Sequence, residues 1–393
     1  MSDTARLLID LFLLFAAARL AGTLFLRLNQ PAVVGEILAG LLIGPHLLGL
    51  VSHTPSQDAF AQLGVVFLLF VVGLETDPAR LWRVGRHALL VAALGVTASF
   101  GLGYALLRGF HSPIPESLFV ATAVAATSVG LAGRVLADLG KLGTVVASVI
   151  LGAAIVDDIL GMLLLAVVSN AARGAFSGRE ILILVAETVA FLGLAVLLGR
   201  PAVHRLTPRL ARYDEDQGRS PIFALAVILC FAFSALAEVI GLAAIIGAFF
   251  AGVIFAETEE APELRRSMRP IYELLVPIFF VLLGVRVDLP ALAHWSLLGL
   301  GALVILAAIF GKLLGCGLGA LRLGKREALA VALGMIPRGE ISLVIALVGL
   351  SRGLISSGIY STLVLMCLVT SLLAPPLLRA VLARPTRIAG GEH

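Results

Sequence analysis

Long apolar runs dominate this 393-residue chain and decide what it can fold into. A membrane-spanning helix needs about 20 apolar residues, and runs bounded by charge, proline or glycine recur along the whole sequence. With 60% hydrophobic and 14% charged residues, the chain is too apolar for a water-soluble globule of ordinary composition. We therefore predict one integral membrane domain over residues 1–393, with its function inside the membrane.

The apolar runs predict an all-α polytopic membrane protein with about thirteen transmembrane helices. Basic residues fall in the short loops between the runs, and one side of the membrane carries roughly three times as many Lys and Arg residues as the other, which predicts an outside amino terminus and a cytoplasmic carboxyl terminus. This topology explains the formal charge of +4 without a nucleic-acid partner. The expected spans are 6–28, 31–50, 58–73, 86–108, 116–138, 143–169, 180–205, 220–238, 241–256, 269–285, 295–321, 327–350 and 356–383.

Two stretches of sequence repeat at a nearly constant spacing. Residues 33–40 match residues 245–252 at an offset of 212, and residues 71–77 match residues 282–288 at an offset of 211. The offset spans seven predicted helices, so the two copies have opposite orientations, as in many secondary transporters. We predict two inverted five-helix repeats, at about 31–169 and 241–383.

Two adjacent acids, Asp157 and Asp158, lie near the middle of the predicted helix at 143–169. Each such charge costs about 2.5–3.5 kcal/mol to insert at the membrane midplane, so the pair needs a reason. Successive helical residues point about 100° apart, so one carboxylate can pair while the other faces a pathway. The structural alternative is that both acids are protonated or cap a helix break.

Lys312 lies centrally in the predicted helix at 295–321, too deep to extend its ammonium to either membrane surface. Its expected partner is a buried aspartate. A purely structural ion pair and a part in transport are both compatible with this position.

Proline, glycine and hydroxyl residues interrupt two predicted helices at membrane depth. The first break contains Thr127 and Ser128, and the second contains Arg338 and Glu340 within the sequence Gly-Met-Ile-Pro-Arg-Gly-Glu. Unwound backbone is tolerated there only where it is buried in protein or lines a cavity, and matching breaks in two repeats predict a binding site. Arg338 and Glu340 are expected to offset the partial charges of the broken helix ends. Alternatively, the two hydroxyls bond carbonyls of their own helix.

The chain resembles the monovalent cation/proton antiporters, in particular the bacterial NapA-like sodium/proton exchangers. The resemblance covers essentially the whole chain. It rests on the sequence Asn-Gln-Pro-Ala-Val-Val-Gly-Glu at residues 29–36, the break at 126–128, the acidic pair, Lys312 and the Pro-Arg-Gly-Glu sequence at 337–340, in that order.

The resemblance implies a homodimer whose subunits contain crossing broken helices and move like an elevator. Helices at about 86–169 and 295–383 would form the mobile ion-translocating core, and helices at about 6–73 and 220–285 the dimerisation bundle. The helix at about 180–205 would link the two.

The resemblance also implies that Asp158 is the principal carrier of cation and proton, that Asp157 pairs with Lys312, and that Thr127 and Ser128 line the cation site. We therefore expect an antiporter rather than an enzyme, without a cofactor, that exchanges H⁺ for Na⁺, with Li⁺ as the alternative cation, across the bacterial inner membrane. The two acids and one lysine favour electrogenic exchange.

Three other functions fit parts of the sequence. Potassium/proton antiporters and potassium efflux systems resemble the chain but often carry a soluble nucleotide-binding domain after the membrane part. A passive cation channel would tolerate the broken helices, yet it gives no reason for a central lysine. An intramembrane aspartyl protease resembles a pattern with its two aspartates on separate helices and a Gly-x-Gly-Asp sequence, which this chain lacks.

Overall fold

A computed structural model describes most of the chain. The described residues are 3–28, 30–51, 54–76, 85–128, 144–171, 221–239, 243–292 and 294–382, with isolated positions between these ranges. The predicted linker helix at about 180–205 falls where only isolated positions are described.

Every regular element within these ranges is helical, which confirms the all-α prediction. Eight of the described helices are long and apolar enough to cross a membrane (α1, α3, α4, α6, α7, α9, α11 and α14); the total of thirteen spans stays a prediction. The helices are α1 (Asp3–Arg27), α2 (Ala32–Ile43), α3 (Pro55–Glu75), α4 (Gly85–Gly109), α5 (Ile114–Ala125), α6 (Val145–Ala171), α7 (Pro221–Val239), α8 (Ala244–Ala256), α9 (Ala261–Val285), α10 (Leu289–Leu292), α11 (Trp295–Ala320), α12 (Lys325–Gly334), α13 (Glu340–Ser351) and α14 (Ser357–Leu382), with a short 3₁₀ helix at Leu321–Leu323 after α11.

Two helix boundaries differ from the prediction for reasons that involve proline. Helix α2 ends at Ile43 instead of near residue 50 because Pro45 disfavours helical backbone at the residue before it. Helix α9 begins at Ala261 instead of 269, with Pro262 in its first turn, where proline is favoured, and it contains Pro270 and Pro277 in its interior. Proline is tolerated inside membrane helices because neighbouring groups satisfy the freed carbonyls.

Helices α1–α3 and α7–α9 pack together, and we call them the first helix group. Its closest contacts are between backbones. A Cβ atom at Gly40 of α2 or at Gly284 of α9 would overlap a backbone carbonyl of the opposite helix, and the same holds for Gly73 of α3 and Gly252 of α8. Only glycine allows helices to approach this closely.

The same four glycines follow the sequence repeat. The offset of 212 carries Gly40 onto Gly252, and the offset of 211 carries Gly73 onto Gly284. The repeat operation therefore exchanges the α2–α9 contact with the α8–α3 contact. This arrangement is what two copies related by an internal twofold axis would produce.

Helices α4–α6 and α11–α14 form the second helix group. The long helices α4 and α11 pack along much of their length, and α14 packs against α11, α12 and α13. One polar contact between the groups is the hydrogen bond from the Tyr360 hydroxyl of α14 to the Leu283 carbonyl of α9, at 3.0 Å.

A cavity of about 1330 Å³ lies between the two helix groups. Its wall includes parts of α3, α7 and α8 on one side and of α13 on the other. Arg286 and Arg352 also line the cavity. Both follow predicted spans that end on the outer side of the membrane, so the topology prediction places the cavity towards the outside.

Candidate functional site

A buried ion pair joins α6 and α11. Lys312 Nζ lies 2.9 Å from Asp157 Oδ1 and 3.0 Å from Oδ2, and neither side chain has any exposed surface. Helix α11 packs closely against α4 at Gly95, where an added Cβ would overlap Cys316 Sγ and would lie at an ordinary contact distance of 3.5 Å from Lys312 Nζ.

The two predicted breaks meet each other directly. Helix α5 ends at Ala125, and Ala126 continues in an extended conformation. The second break separates α12, which ends at Gly334, from α13, which begins at Glu340. The Ser128 N–H donates to the Pro337 carbonyl at 2.9 Å, so unwound backbone from each repeat satisfies the other.

Side chains join the two breaks as well. Ser128 Oγ donates to Glu340 Oε2 at 3.0 Å, and Ser342 Oγ donates to the Ala126 carbonyl at 3.2 Å. A Cβ at Gly339 would lie 2.5 Å from the Ser128 Cβ, so a glycine is needed where the chains cross. We refer to residues 126–128 and 335–340 as the crossing.

Arg338 is fully buried at the crossing and makes no ion pair with a described residue. Its guanidinium donates to the Met335 and Ile336 carbonyls at 3.1 and 3.0 Å and to the Ala308 carbonyl of α11 at 2.8 Å. The Met335 and Ile336 carbonyls directly follow the carboxyl end of α12, where the helix dipole is negative. Glu340 sits at the first position of α13, where the dipole is positive. Each charge therefore lies at the helix end that favours it.

Thr127 and Ser128 differ from an ordinary hydroxyl in a membrane helix. Thr122, one turn earlier, donates to the Leu118 carbonyl of its own helix at 2.8 Å. Ser128 instead donates to Glu340 on another helix. Thr127 Oγ1 is buried and has no hydrogen-bond partner among the described residues. The Thr127 hydroxyl oxygen is therefore available to bind a ligand.

Asp158 follows the ion-paired Asp157 on α6 and is 7% exposed. None of the described residues donates a hydrogen bond to its carboxylate, and the charged groups that act on it are Glu340, Asp157 and Lys312. One turn further along α6, a Cβ at Gly161 would contact Ala126 and Ile341 at 3.7 and 3.6 Å. Helix α6 therefore brings the unpaired acid to the crossing.

The sequence interpretation overlooked three hydroxyl residues that contact the breaks. Ser342 bonds Ala126, and two hydroxyls of α14, Thr370 and Ser371, bond the backbone of Arg338. Thr370 and Ser371 lie in an apolar run without a neighbouring glycine or proline, and such hydroxyls usually bond their own helix. Ser342 lies three residues after Gly339, close to the second break.

Discontinuous helices that cross beside buried acids within an all-helical membrane fold define a secondary transporter. The family model for the sodium/hydrogen exchanger, transmembrane region, matches residues 14–384. This chain belongs to the sodium/hydrogen exchanger family, a family of transporters, as the resemblance predicted.

Individual relatives are similar over nearly their full lengths. The chain is 34% identical to the high-affinity Na⁺/H⁺ antiporter NhaS3 of Synechocystis, over 96% of this chain and 90% of the relative. It is 33% identical to the Na⁺/H⁺-K⁺ antiporter GerN of Bacillus cereus, over 93% of this chain and 94% of the relative. The sodium proton antiporter MjNhaP1 of Methanocaldococcus jannaschii has the same fold, with a TM-score of 0.71, 20% identity and 95% of each chain covered.

Proposed function

We propose that this chain exchanges protons for a monovalent cation, Na⁺ first and Li⁺ as a second candidate, and that Asp158 carries both. One observation carries the proposal: Asp157 is neutralised by Lys312, while the adjacent Asp158 reaches the crossing without a hydrogen-bond donor among the described residues. An unpaired acid inside a membrane protein is costly and typical of an ion or proton pathway. The antiporter relatives support the same reading.

The cation would be held by oxygen atoms, which hard cations prefer. Asp158 and Asp157 supply carboxylates, and Thr127 and Ser128 supply hydroxyls from the first break. The unpartnered Thr127 oxygen favours such a role. Arg338 and Glu340 would offset the helix-end charges and so keep the unwound backbone in place.

Exchange follows if proton and cation compete for the same carboxylates. Where the site faces the proton-rich side, Asp158 takes a proton; where it faces the other side, the proton leaves and a cation binds. Release of Lys312 from Asp157 on cation binding would free a second proton. Two protons would then move for each cation, and transport would be electrogenic.

Alternating access would come from motion of the second helix group against the first. The first group is joined by backbone contacts that resist sliding, which suits a fixed dimerisation bundle. The cavity between the groups is lined by Val344, one helical turn after Glu340 on α13, so it would lead from the outer face towards the crossing. We place the homodimer in the bacterial inner membrane, with an outside amino terminus and a cytoplasmic carboxyl terminus.

Transport by purified protein in proteoliposomes tests the function. Internal pH and membrane potential are recorded together while Na⁺, Li⁺ or K⁺ is added outside. An antiporter uses the downhill movement of protons to drive the cation up its own concentration gradient in the opposite direction. A passive channel lets the cation move only down its electrochemical gradient. A cation-independent proton flux, or cation flux that ignores the proton gradient, would contradict antiport.

Potassium/proton exchange is the second candidate because the name of the similar GerN protein includes K⁺ along with Na⁺ and H⁺. The same vesicles decide between them. Sodium selectivity predicts exchange at low millimolar Na⁺ without a response to equal K⁺. Equal responses to Na⁺ and K⁺ would show that the protein exchanges either cation for protons.

A further inference from the structure

Two consecutive hydroxyl residues of α14 hold both backbone groups of Arg338 in the second break. The Arg338 N–H donates to Thr370 Oγ1 at 3.1 Å. Ser371 Oγ donates to the Arg338 carbonyl oxygen at 2.8 Å. All three residues are buried. Backbone that has left a helix at membrane depth needs such partners because no water is present to replace them.

The hydrogen-bond directions at Thr370 suit this task. A hydroxyl has one proton to donate and two lone pairs to accept with. Thr370 donates its proton to the Met366 carbonyl of its own helix at 2.8 Å, which leaves a lone pair for the Arg338 N–H. Thr362, two turns earlier on α14, is equally buried but only donates to the Gly358 carbonyl at 2.9 Å.

We call the two hydrogen bonds between the Arg338 backbone and the hydroxyls of Thr370 and Ser371 the clamp. The Arg338 peptide that they hold lies between the two groups that contact the first break. Pro337, directly before Arg338, accepts the Ser128 N–H through its carbonyl. Glu340, two residues after Arg338, accepts the Ser128 hydroxyl. A shift of the Arg338 peptide therefore moves both contacts of Ser128 together.

We propose that Thr370 and Ser371 are positioning residues for cation binding, which fix the Arg338 peptide and through it the geometry of Ser128 and Glu340 at the crossing. The inference rests on the proposed function, in which the crossing forms part of the cation site. It adds the last described helix, whose hydroxyls touch no predicted cation ligand, to the determinants of cation affinity.

The experiment measures the Na⁺ concentration that gives half-maximal exchange, together with the maximal rate, for purified variants in proteoliposomes. Thr370→Val and Ser371→Ala each remove one half of the clamp, and each should raise the half-maximal Na⁺ concentration about fivefold or more, as expected when a buried backbone group loses its partner. The maximal rate at saturating Na⁺ should change less than the half-maximal concentration. Thr370→Ser keeps the hydroxyl and should restore the parent value.

Thr362→Val is the matched control, because it removes a buried hydroxyl of the same helix that bonds only its own backbone. Its half-maximal Na⁺ concentration should equal that of the parent. If Thr370→Val does not yield folded protein, as judged by thermal unfolding in detergent, Ser371→Ala decides the question alone. Values for Ser371→Ala equal to those of Thr362→Val, or a loss confined to the maximal rate, would overturn the inference.

Ser128→Ala, measured in parallel, separates this inference from the proposed function. A raised Na⁺ constant in Ser128→Ala with parent values in both clamp variants overturns the clamp and leaves the cation site standing. Parent values in all three variants overturn the cation site at the crossing as well. A raised half-maximal Na⁺ concentration in both clamp variants, with the parent value in Ser128→Ala, would overturn the part of the inference that says the clamp acts through Ser128.

Discussion

Lys312 of α11 contacts both carboxylate oxygens of Asp157 on α6, at nearly equal distances and without access to solvent. The pair takes up the charge of one acid, and its neighbour Asp158 forms no ion pair with any of the residues that the structure describes. A buried ion pair is weak evidence for stability, since well-packed apolar residues often do as well. Under the proposed function, the pair instead separates the roles of the two adjacent acids, since only one of them is held by a lysine.

Breaking the pair on one side should destabilise the protein strongly. Asp157→Ala leaves a buried ammonium and Lys312→Met leaves a buried carboxylate, so each should cost about 3–5 kcal/mol. The double variant leaves neither charge and should be more stable than either single variant. Thermal unfolding of the parent, both single variants and the double variant in detergent forms a double-mutant cycle. The cycle gives the coupling free energy between the two side chains. Additive losses would show that the two charges do not depend on each other.

Asp158→Asn should abolish cation-driven proton movement while leaving a folded protein. The amide keeps the size of the side chain and some hydrogen bonding but loses the titratable charge. Asp10→Asn is the matched control, because Asp10 is also a buried acid of a spanning helix, where it accepts a hydrogen bond from Gln57 at 3.1 Å. The assignment of Asp158 would be wrong if its variant retained most of the exchange seen with the control.

Loss of the hydroxyls at the first break should weaken cation binding more than it slows turnover. Neutral oxygen ligands contribute to binding without carrying protons, so Thr127→Ala and Ser128→Ala should raise the half-maximal cation concentration several-fold, about the effect of one lost polar contact. Thr122→Ala removes a hydroxyl that bonds its own helix and should leave the constant unchanged. Equal constants in all three variants would mean that the hydroxyls are only structural.

The stoichiometry should be two protons for one cation if Lys312 releases a proton when Asp157 turns to the cation. The ion gradients at which net flux vanishes would then shift with the clamped membrane potential. Because the groups are coupled, the measured titrations would belong to the cluster and not to single residues.

Lys312→Gln tests the source of the second proton. The variant should either lose exchange or become electroneutral, since the neutral amide has no proton to give. Lys312→Arg keeps the positive charge but also releases no proton, so it separates the loss of charge from the loss of the proton. A reversal point that does not depend on voltage in the unmutated protein would rule out two-for-one exchange, whatever the variants do.

The sequence predicted the helical architecture and the breaks because membrane depth makes polar residues expensive. In an apolar helix, residues such as Lys312 and Pro337 stand out and have few possible explanations. The same reasoning could not predict that Gly40 contacts Gly284, because an offset between repeats gives correspondence and not contact. Nor could it predict Thr370, because a hydroxyl bonded to another helix looks like one bonded to its own.

The Arg338 guanidinium, whose partners among the described residues are all carbonyls, has a consequence for the valence of the transported ion. With every group charged, the five ionisable side chains at the crossing and the ion pair carry one net negative charge, from Asp157, Asp158 and Glu340 against Lys312 and Arg338. One proton or one monovalent cation brings this sum to zero. A divalent ion would leave an excess positive charge in a medium of low dielectric constant, where uncompensated charge is costly. Electroneutrality therefore disfavours Ca²⁺ and Mg²⁺ as long as Lys312 keeps its proton. If Lys312 releases that proton, as two-for-one exchange requires, the sum becomes minus two and no longer excludes a divalent ion.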